Sequence, residues 1–230
     1  IFDAIYDDIQ VYSLPSYEHK TEFLVKQNGL YGIVNSEKEI IVPIQYSSLI
    51  RVICDDHTES YRECYVDYDG EERYENQYYN EHHILYQVYD NNEMFFSEYR
   101  DKVHKYDLKH VSYFCYIASQ NNKYGVIDSN NEILIPFEYD EIEINSILNS
   151  TEDSWSEEYS VRCYVRNSNG WGIRDNNKVI FSCSKASITQ QEHYYIFKEF
   201  GTEKYGTISY DGTQLTEAIF DRIDHRGPYI

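Results

Sequence analysis

Two histidines, His82 and His83, stand side by side, with His57, Cys54 and Cys64 upstream in the same stretch. Imidazole and thiolate are the usual ligands of Zn2+, so this is the first place to look for a metal. The spacing matches no zinc pattern and the surroundings are acidic, so no metal is expected here, and no cofactor anywhere. Asp128-Ser129-Asn130-Asn131-Glu132 has the flavour of a calcium loop but lacks its central Gly and its distal bidentate Glu. Asp90, Asp175 and Asp211 recur at nearby places, which hairpin turns explain better. Cys115 and Cys163 sit where other parts of the chain carry Phe23 and Phe197, so they read as small core residues, not nucleophiles. With 40 acids in the chain, no carboxylate pair can be singled out for acid-base work. No phosphate loop, dinucleotide fingerprint, His-Glu-x-x-His or Gly-x-Ser-x-Gly is present. The expectation is a protein that is not an enzyme.

The 230 residues can bury a real core. Tyrosine dominates, with 26 copies beside 10 Phe and 2 Trp, and it favours strands with half-exposed faces. The formal charge is -20, which repels nucleic acid and anionic membrane and favours a basic protein partner, or simply keeps an aromatic-rich surface in solution. No apolar run approaches the roughly 18 residues of a membrane-crossing helix. Five cysteines, an odd number without close pairs, point to reduced thiols and a cytoplasmic setting. The chain begins with Ile and not Met, which leaves room for a removed leader.

What would position any site is a repeat. Leu30-Tyr31-Gly32-Ile33-Val34 leads through a polar turn to Ile40-Ile41-Val42-Pro43; Lys123-Tyr124-Gly125-Val126-Ile127 leads likewise to Ile133-Leu134-Ile135-Pro136. Trp171-Gly172 and Tyr205-Gly206 head two further copies, and Tyr86, followed by Gln87 in place of Gly, heads a degraded one. Fifteen positions after the aromatic come Tyr46, Tyr139 and Phe220. Each copy predicts short antiparallel strands joined by Asn-rich or Asp-Gly turns. The Gly leaves one sheet face bare, so that a neighbouring ring or backbone can lie against it. Tyr31, Tyr124, Trp171 and Tyr205 are expected to be structural, each ring packed in its sheet. Ile1-Phe2-Asp3-Ala4-Ile5 matches the last tail, Ile219 to Ile223, so the chain starts inside a unit. Six tails for five cores favour a fragment of a longer array, while pairing of the first tail with a later unit would close a ring.

Residues 54–82 and 145–158 are polar and acidic without apolar periodicity, and read as loops between units. Contact residues are expected there: Asp67, Asp69, Glu71, Glu72, Tyr78 and Tyr79 in the first, and Trp155 in the second.

Tyr31-Gly32 with Pro43 and Tyr46, and Tyr124-Gly125 with Pro136 and Tyr139-Asp140-Glu141-Ile142, resemble the unit of the bacterial WG-repeat proteins. Trp171-Gly172 fits at its core but has Cys183 where Pro is usual, and the Tyr205 copy has Glu217 there. The resemblance implies one all-β array over residues 1–230, about five antiparallel units in a propeller-like ring or curved open stack. It also implies a protein-binding role without catalytic residues, and a link in some members to toxin and immunity systems. Three functions stand side by side: an interaction module, an acidic immunity protein that blocks a basic toxin, and an enzyme-associated domain with an unrecognised site.

Overall fold

The computed structural model describes residues 5–12, 21–66, 72–90, 93–99, 102–104, 111–149, 159–191 and 193–223. Among them every regular element is a strand, arranged in four antiparallel sheets. The first sheet runs β1 (Asp8–Val11), β2 (Glu22–Gln27), β3 (Leu30–Asn35), β4 (Ile40–Tyr46) in spatial order. The third repeats that order with β12 (Glu141–Asn149), β13 (Tyr159–Asn167), β14 (Gly170–Asp175) and β15 (Lys178–Lys185). The fourth does so with β16 (Ser187–Gln190), β17 (Tyr194–Lys198), β18 (Tyr205–Ser209) and β19 (Gln214–Phe220). The second contains the same four as β5 (Ser48–Val66), β9 (Val111–Gln120), β10 (Lys123–Ile127) and β11 (Ile133–Tyr139). Beyond β5 it is widened by β6 (Glu72–Asp90), β7 (Glu93–Tyr99) and β8 (Lys102–His104).

The described sheets are four. Tyr86 lies in β6, opposite Val52 and Ser97; β7 follows it as a third strand, but pairs without the bulge seen in the other copies. In those copies the aromatic faces the tail residue of its own third strand: Tyr31 opposite Tyr46, Tyr124 opposite Tyr139, Tyr205 opposite Phe220. A bulge follows the aromatic each time, and it brings the third strand's backbone onto the glycine. A Cβ on Gly32 would stand 2.7 Å from Val42 O; on Gly125, 2.7 Å from Ile135 O; on Gly172, 2.6 Å from Phe181 O. The β2–β3 hairpin turns through Asn28 and Gly29, both at positive φ, as the twist of a two-residue hairpin requires.

A single residue links each third strand to the next sheet: Ser47, Asp140 and Ala186. Each donates its N–H to the next sheet, to Ser119 O, Arg166 O and Lys198 O. Asp7 does the same to Lys26 O. This corrects the alignment of the first tail: Tyr6-Asp7-Asp8-Ile9 holds the tail position, and residues 1–4 lie outside the described residues. The strand into which this tail runs, β1, pairs with β2 of the first sheet. The places matched to Phe23 shift slightly too. Strand pairing equates Phe23, Tyr116, Cys163 and Tyr195, because the β17–β18 turn is longer and Cys115 is one residue off.

Consecutive sheets pack through apolar clusters. Ile33, Val42 and Tyr46 of the first meet Leu49, Tyr116, Ala118 and Ile127 of the second. Val126, Ile135 and Tyr139 of the second meet Ile142, Ile144, Val161 and Val165 of the third. Tyr164 and Ile173 of the third meet Tyr195, Phe197 and Ile208 of the fourth.

The loop expectation for 54–82 fails for its described part. β5 and β6 pair continuously from Val52↔Tyr86 to Val66↔Glu72. Likewise 145–149 belong to β12, while 150–158 lie outside the described residues. A ribbon without apolar alternation offers no period to detect, yet its backbone bonds and Tyr-rich composition still suit a strand.

Candidate functional site

The ribbon leaves the second sheet as an arm. Among the described residues, β9 accompanies β5 as far as Asp55↔Val111, and β7 joins β6 from Tyr86 to Asp90. From Asp56↔His82 to Val66↔Glu72, β5 and β6 pair with no other described strand beside them, a span of about 35 Å at the usual strand rise. Residues 56–82 carry nine acids, six tyrosines and two arginines.

The root of this arm is pinned on both sides. Toward the first sheet stands Arg51, fully buried on β5. Its guanidinium donates to the carboxylate of Glu22, to the carbonyl of Tyr12 and, at 3.2 Å, to the hydroxyl of Tyr116. It stacks over the rings of Tyr12 at 4.4 Å and Phe114 at 4.9 Å, and Gln87 Oε1 lies 3.5 Å from Nη1. The Arg51 N–H donates to Tyr12 Oη at 2.7 Å. Burial pushes the Tyr12 phenol up to about 12, and the Tyr116 phenol also moves up for the same reason. Removing either partner of such a pair leaves a buried charge uncompensated, so the cluster fixes the first sheet to the arm's base.

Toward the third sheet, Tyr86 on β6 accepts from Ile144 N at 3.0 Å and lies 3.4 Å from Ile144 O. Tyr86 is thus an anchor of the arm. Further along the stack, Arg174 donates to Tyr139 Oη at 2.6 Å and to Asn177 O at 2.8 Å, bridging the second and third sheets. Arg162 pairs with Asp175 at 2.9 Å and reaches Tyr210 O at 3.4 Å, bridging the third and fourth. Each of these three arginines keeps a buried Nε with no hydrogen-bond partner. Sequence reasoning missed all three. The available signal was a charge inside an apolar run, as in Leu49-Ile50-Arg51-Val52-Ile53.

The expected contact residues fall as follows. Tyr78 and Tyr79 are on β6, opposite Ser60 and Glu59, and Glu72 is opposite Val66 at the far end. Asp67, Asp69, Glu71 and Trp155 lie outside the described residues. The repeat aromatics Tyr31, Tyr124, Trp171 and Tyr205 are half-buried, while Gly32, Gly125, Gly172 and Gly206 are buried beneath their third strands. Lys26 lies 5.0 Å from the Tyr31 centroid, and Arg166 lies 5.5 Å from that of Trp171.

Cys54, Cys115 and Cys163 are buried free thiols, and burial raises those of Cys115 and Cys163, so both stay protonated at neutral pH. Asp128 Oδ1 accepts from Asn130 N at 2.9 Å and Glu132 N at 2.7 Å, as Asn35 Oδ1 accepts from Glu37 N and Glu39 N. Both side chains therefore brace a hairpin turn. Among residues whose side chains are described, no three of His, Cys, Asp and Glu gather as a metal site.

A family model described as "WG containing repeat" matches residues 124–146, from the aromatic-Gly pair of the second sheet into β12. No curated protein and no solved structure matches the chain.

Proposed function

We propose that this chain is a non-catalytic protein-interaction module, in which stacked WG-like sheets carry an acidic, tyrosine-rich β-ribbon to a basic protein partner. The observation that carries this reading is the arm: strands running beyond any described sheet neighbour, with nine acids against two arginines, on a base locked by Arg51 and Tyr86. An isolated two-stranded ribbon is marginal in water, and a rigid base plus a partner surface would offset that. Carboxylates spread along a ribbon attract a basic surface from a distance and speed encounter, an effect that salt screens. Where the partner is a nucleic-acid-cleaving toxin, the same acids would sit where phosphates sit.

Capture from the source cell, then association kinetics at low and high salt, tests this. The expected partner is basic, and its association slows by about tenfold or more at high salt. A variant with residues 57–81 replaced by Asn-Gly keeps its strand spectrum and loses binding. A neutral or acidic partner bound equally at both salts, or full binding by the armless variant, overturns the reading.

A further inference from the structure

Tyr113 of β9 and Tyr159 of β13 stack face to face between the second and third sheets, with ring centroids 4.4 Å apart and planes inclined by 22°. Both are half-buried, so each ring keeps part of its surface in solvent. Tyr113 lies opposite Cys54, where the arm takes its root, and Tyr159 lies opposite Asn149, the last residue of β12. Burial raises the Tyr113 phenol, so it stays protonated at neutral pH and can give up a proton together with an electron. Tyr195–Tyr210 and Tyr164–Tyr195 meet edge to face instead, at 5.0 Å and 65° and at 6.2 Å and 81°.

We propose that Tyr113 and Tyr159 form an oxidative modification site, at which a haem peroxidase supplied with hydrogen peroxide joins the two rings as dityrosine. Each phenol loses one electron and one proton, leaving a phenoxyl radical shared between the oxygen and the ring carbons ortho to it. The two radicals pair their electrons in a new Cε–Cε bond. Each ring then regains aromaticity as the hydrogen on its coupled carbon moves, through water, to its own oxygen. Hydrogen peroxide takes up the two electrons and two protons and leaves as two waters. The new bond grows from orbital lobes perpendicular to the ring planes, so stacked rings are aligned for it and edge-to-face rings are not. The product ties β9 to β13, and with them the second sheet to the third, beside the root of the arm. Closing that loop of chain restricts the unfolded state.

The test is oxidation of the full chain by a haem peroxidase and hydrogen peroxide at low protein concentration. The monomer is then isolated, its dityrosine fluorescence read and its bridged peptides mapped by mass. The expected product is a monomer lighter by two hydrogen atoms, with the bridge between Tyr113 and Tyr159. Tyr113→Phe and Tyr159→Phe keep a ring in the stack, and should lower monomer dityrosine by about tenfold, against less than about twofold for Tyr210→Phe from an edge-to-face pair. A monomer without dityrosine overturns the proposal, as does a bridge mapped to other tyrosines. So does a yield that Tyr159→Phe leaves undiminished, or that Tyr210→Phe lowers equally.

Discussion

The first and fourth sheets present the same three positions to the side facing the next sheet, and fill them differently. In the first sheet these are Ile33 opposite Val42, and Tyr46, all at most 2% exposed under the second sheet. In the fourth they are the buried Thr207 opposite the half-buried Thr216, and Phe220, which is 40% exposed. The threonines bond to each other at 3.1 Å, and Thr216 Oγ1 also accepts from Thr207 N at 2.9 Å. Where a sheet is covered, methyl groups supply the contact. In the fourth sheet, hydroxyls that satisfy themselves take their place.

The largest test of this contrast exchanges the pairs. Ile33→Thr with Val42→Thr puts two hydroxyls into a dry cluster and should cost about 3 kcal/mol or more in urea unfolding. Thr207→Val with Thr216→Val should stay within about 1 kcal/mol. Equal losses would mean that the two faces are equally covered.

Next in size are the glycines. A Cβ at Gly32 meets backbone first, Val42 O and Ile44 Cα, whereas at Gly206 it first meets the ring tip of Phe197 at 2.5 Å. Gly32→Ala should cost about 2 kcal/mol by overpacking, and Gly206→Ala less, because its closest contacts are with a ring that can turn, with the Glu217 backbone farther off at 2.9 Å. A larger loss at Gly206, read from the same unfolding curves, would put the closer packing in the fourth sheet.

The tail aromatics give a smaller effect. Tyr46 Oη donates to Asn131 Oδ1 at 2.6 Å, across to the second sheet, so Tyr46→Phe should lose about 1 kcal/mol. Phe220→Tyr, with its edge already in water, should change stability by less than about 0.5 kcal/mol.

The smallest effect is alkaline. Burial raises the phenols of Tyr12 and Tyr139 from 10.0 to about 12, so each contributes fully below pH 10, where both folded and unfolded phenols are neutral. Between pH 10 and 12 only the unfolded phenol ionises, and stability falls as pH rises; at pH 10.5 the loss is below about 1 kcal/mol per tyrosine. Tyr12→Phe and Tyr139→Phe should flatten that part of the curve, while Phe220→Leu should leave it unchanged.

Much of this was visible before any coordinates. Aromatic-Gly followed by a tail aromatic fifteen residues on marks two residues that pair across strands, and the strand pairing obeys it at Tyr31, Tyr124 and Tyr205. The all-β expectation holds as four antiparallel sheets. Other features were hidden for physical reasons. Phe2-Asp3-Ala4-Ile5 and Tyr6-Asp7-Asp8-Ile9 both satisfy the tail pattern, and only the Asp7 bond to Lys26 O decides between them. The arm's sequence has no apolar alternation to impose a period, so it reads as loop. The buried Arg51 could not be foreseen from the repeat, because the glutamate and tyrosines around it come from β2, β9 and the end of β1.

The one-residue links at Ser47, Asp140 and Ala186 bear on how the molecule comes apart. Every sheet after the first begins with a strand that continues directly from the last strand of its predecessor, so the repeat in the chain and the sheet in space are out of phase. No repeat excised at its own boundaries carries a whole sheet: it takes one strand too many and leaves its neighbour one too few. Cooperativity then spreads along the array by shared ownership of strands as well as by packing. Amide exchange should accordingly release Ser47 and the first strand of the second sheet together, as one opening event and not two.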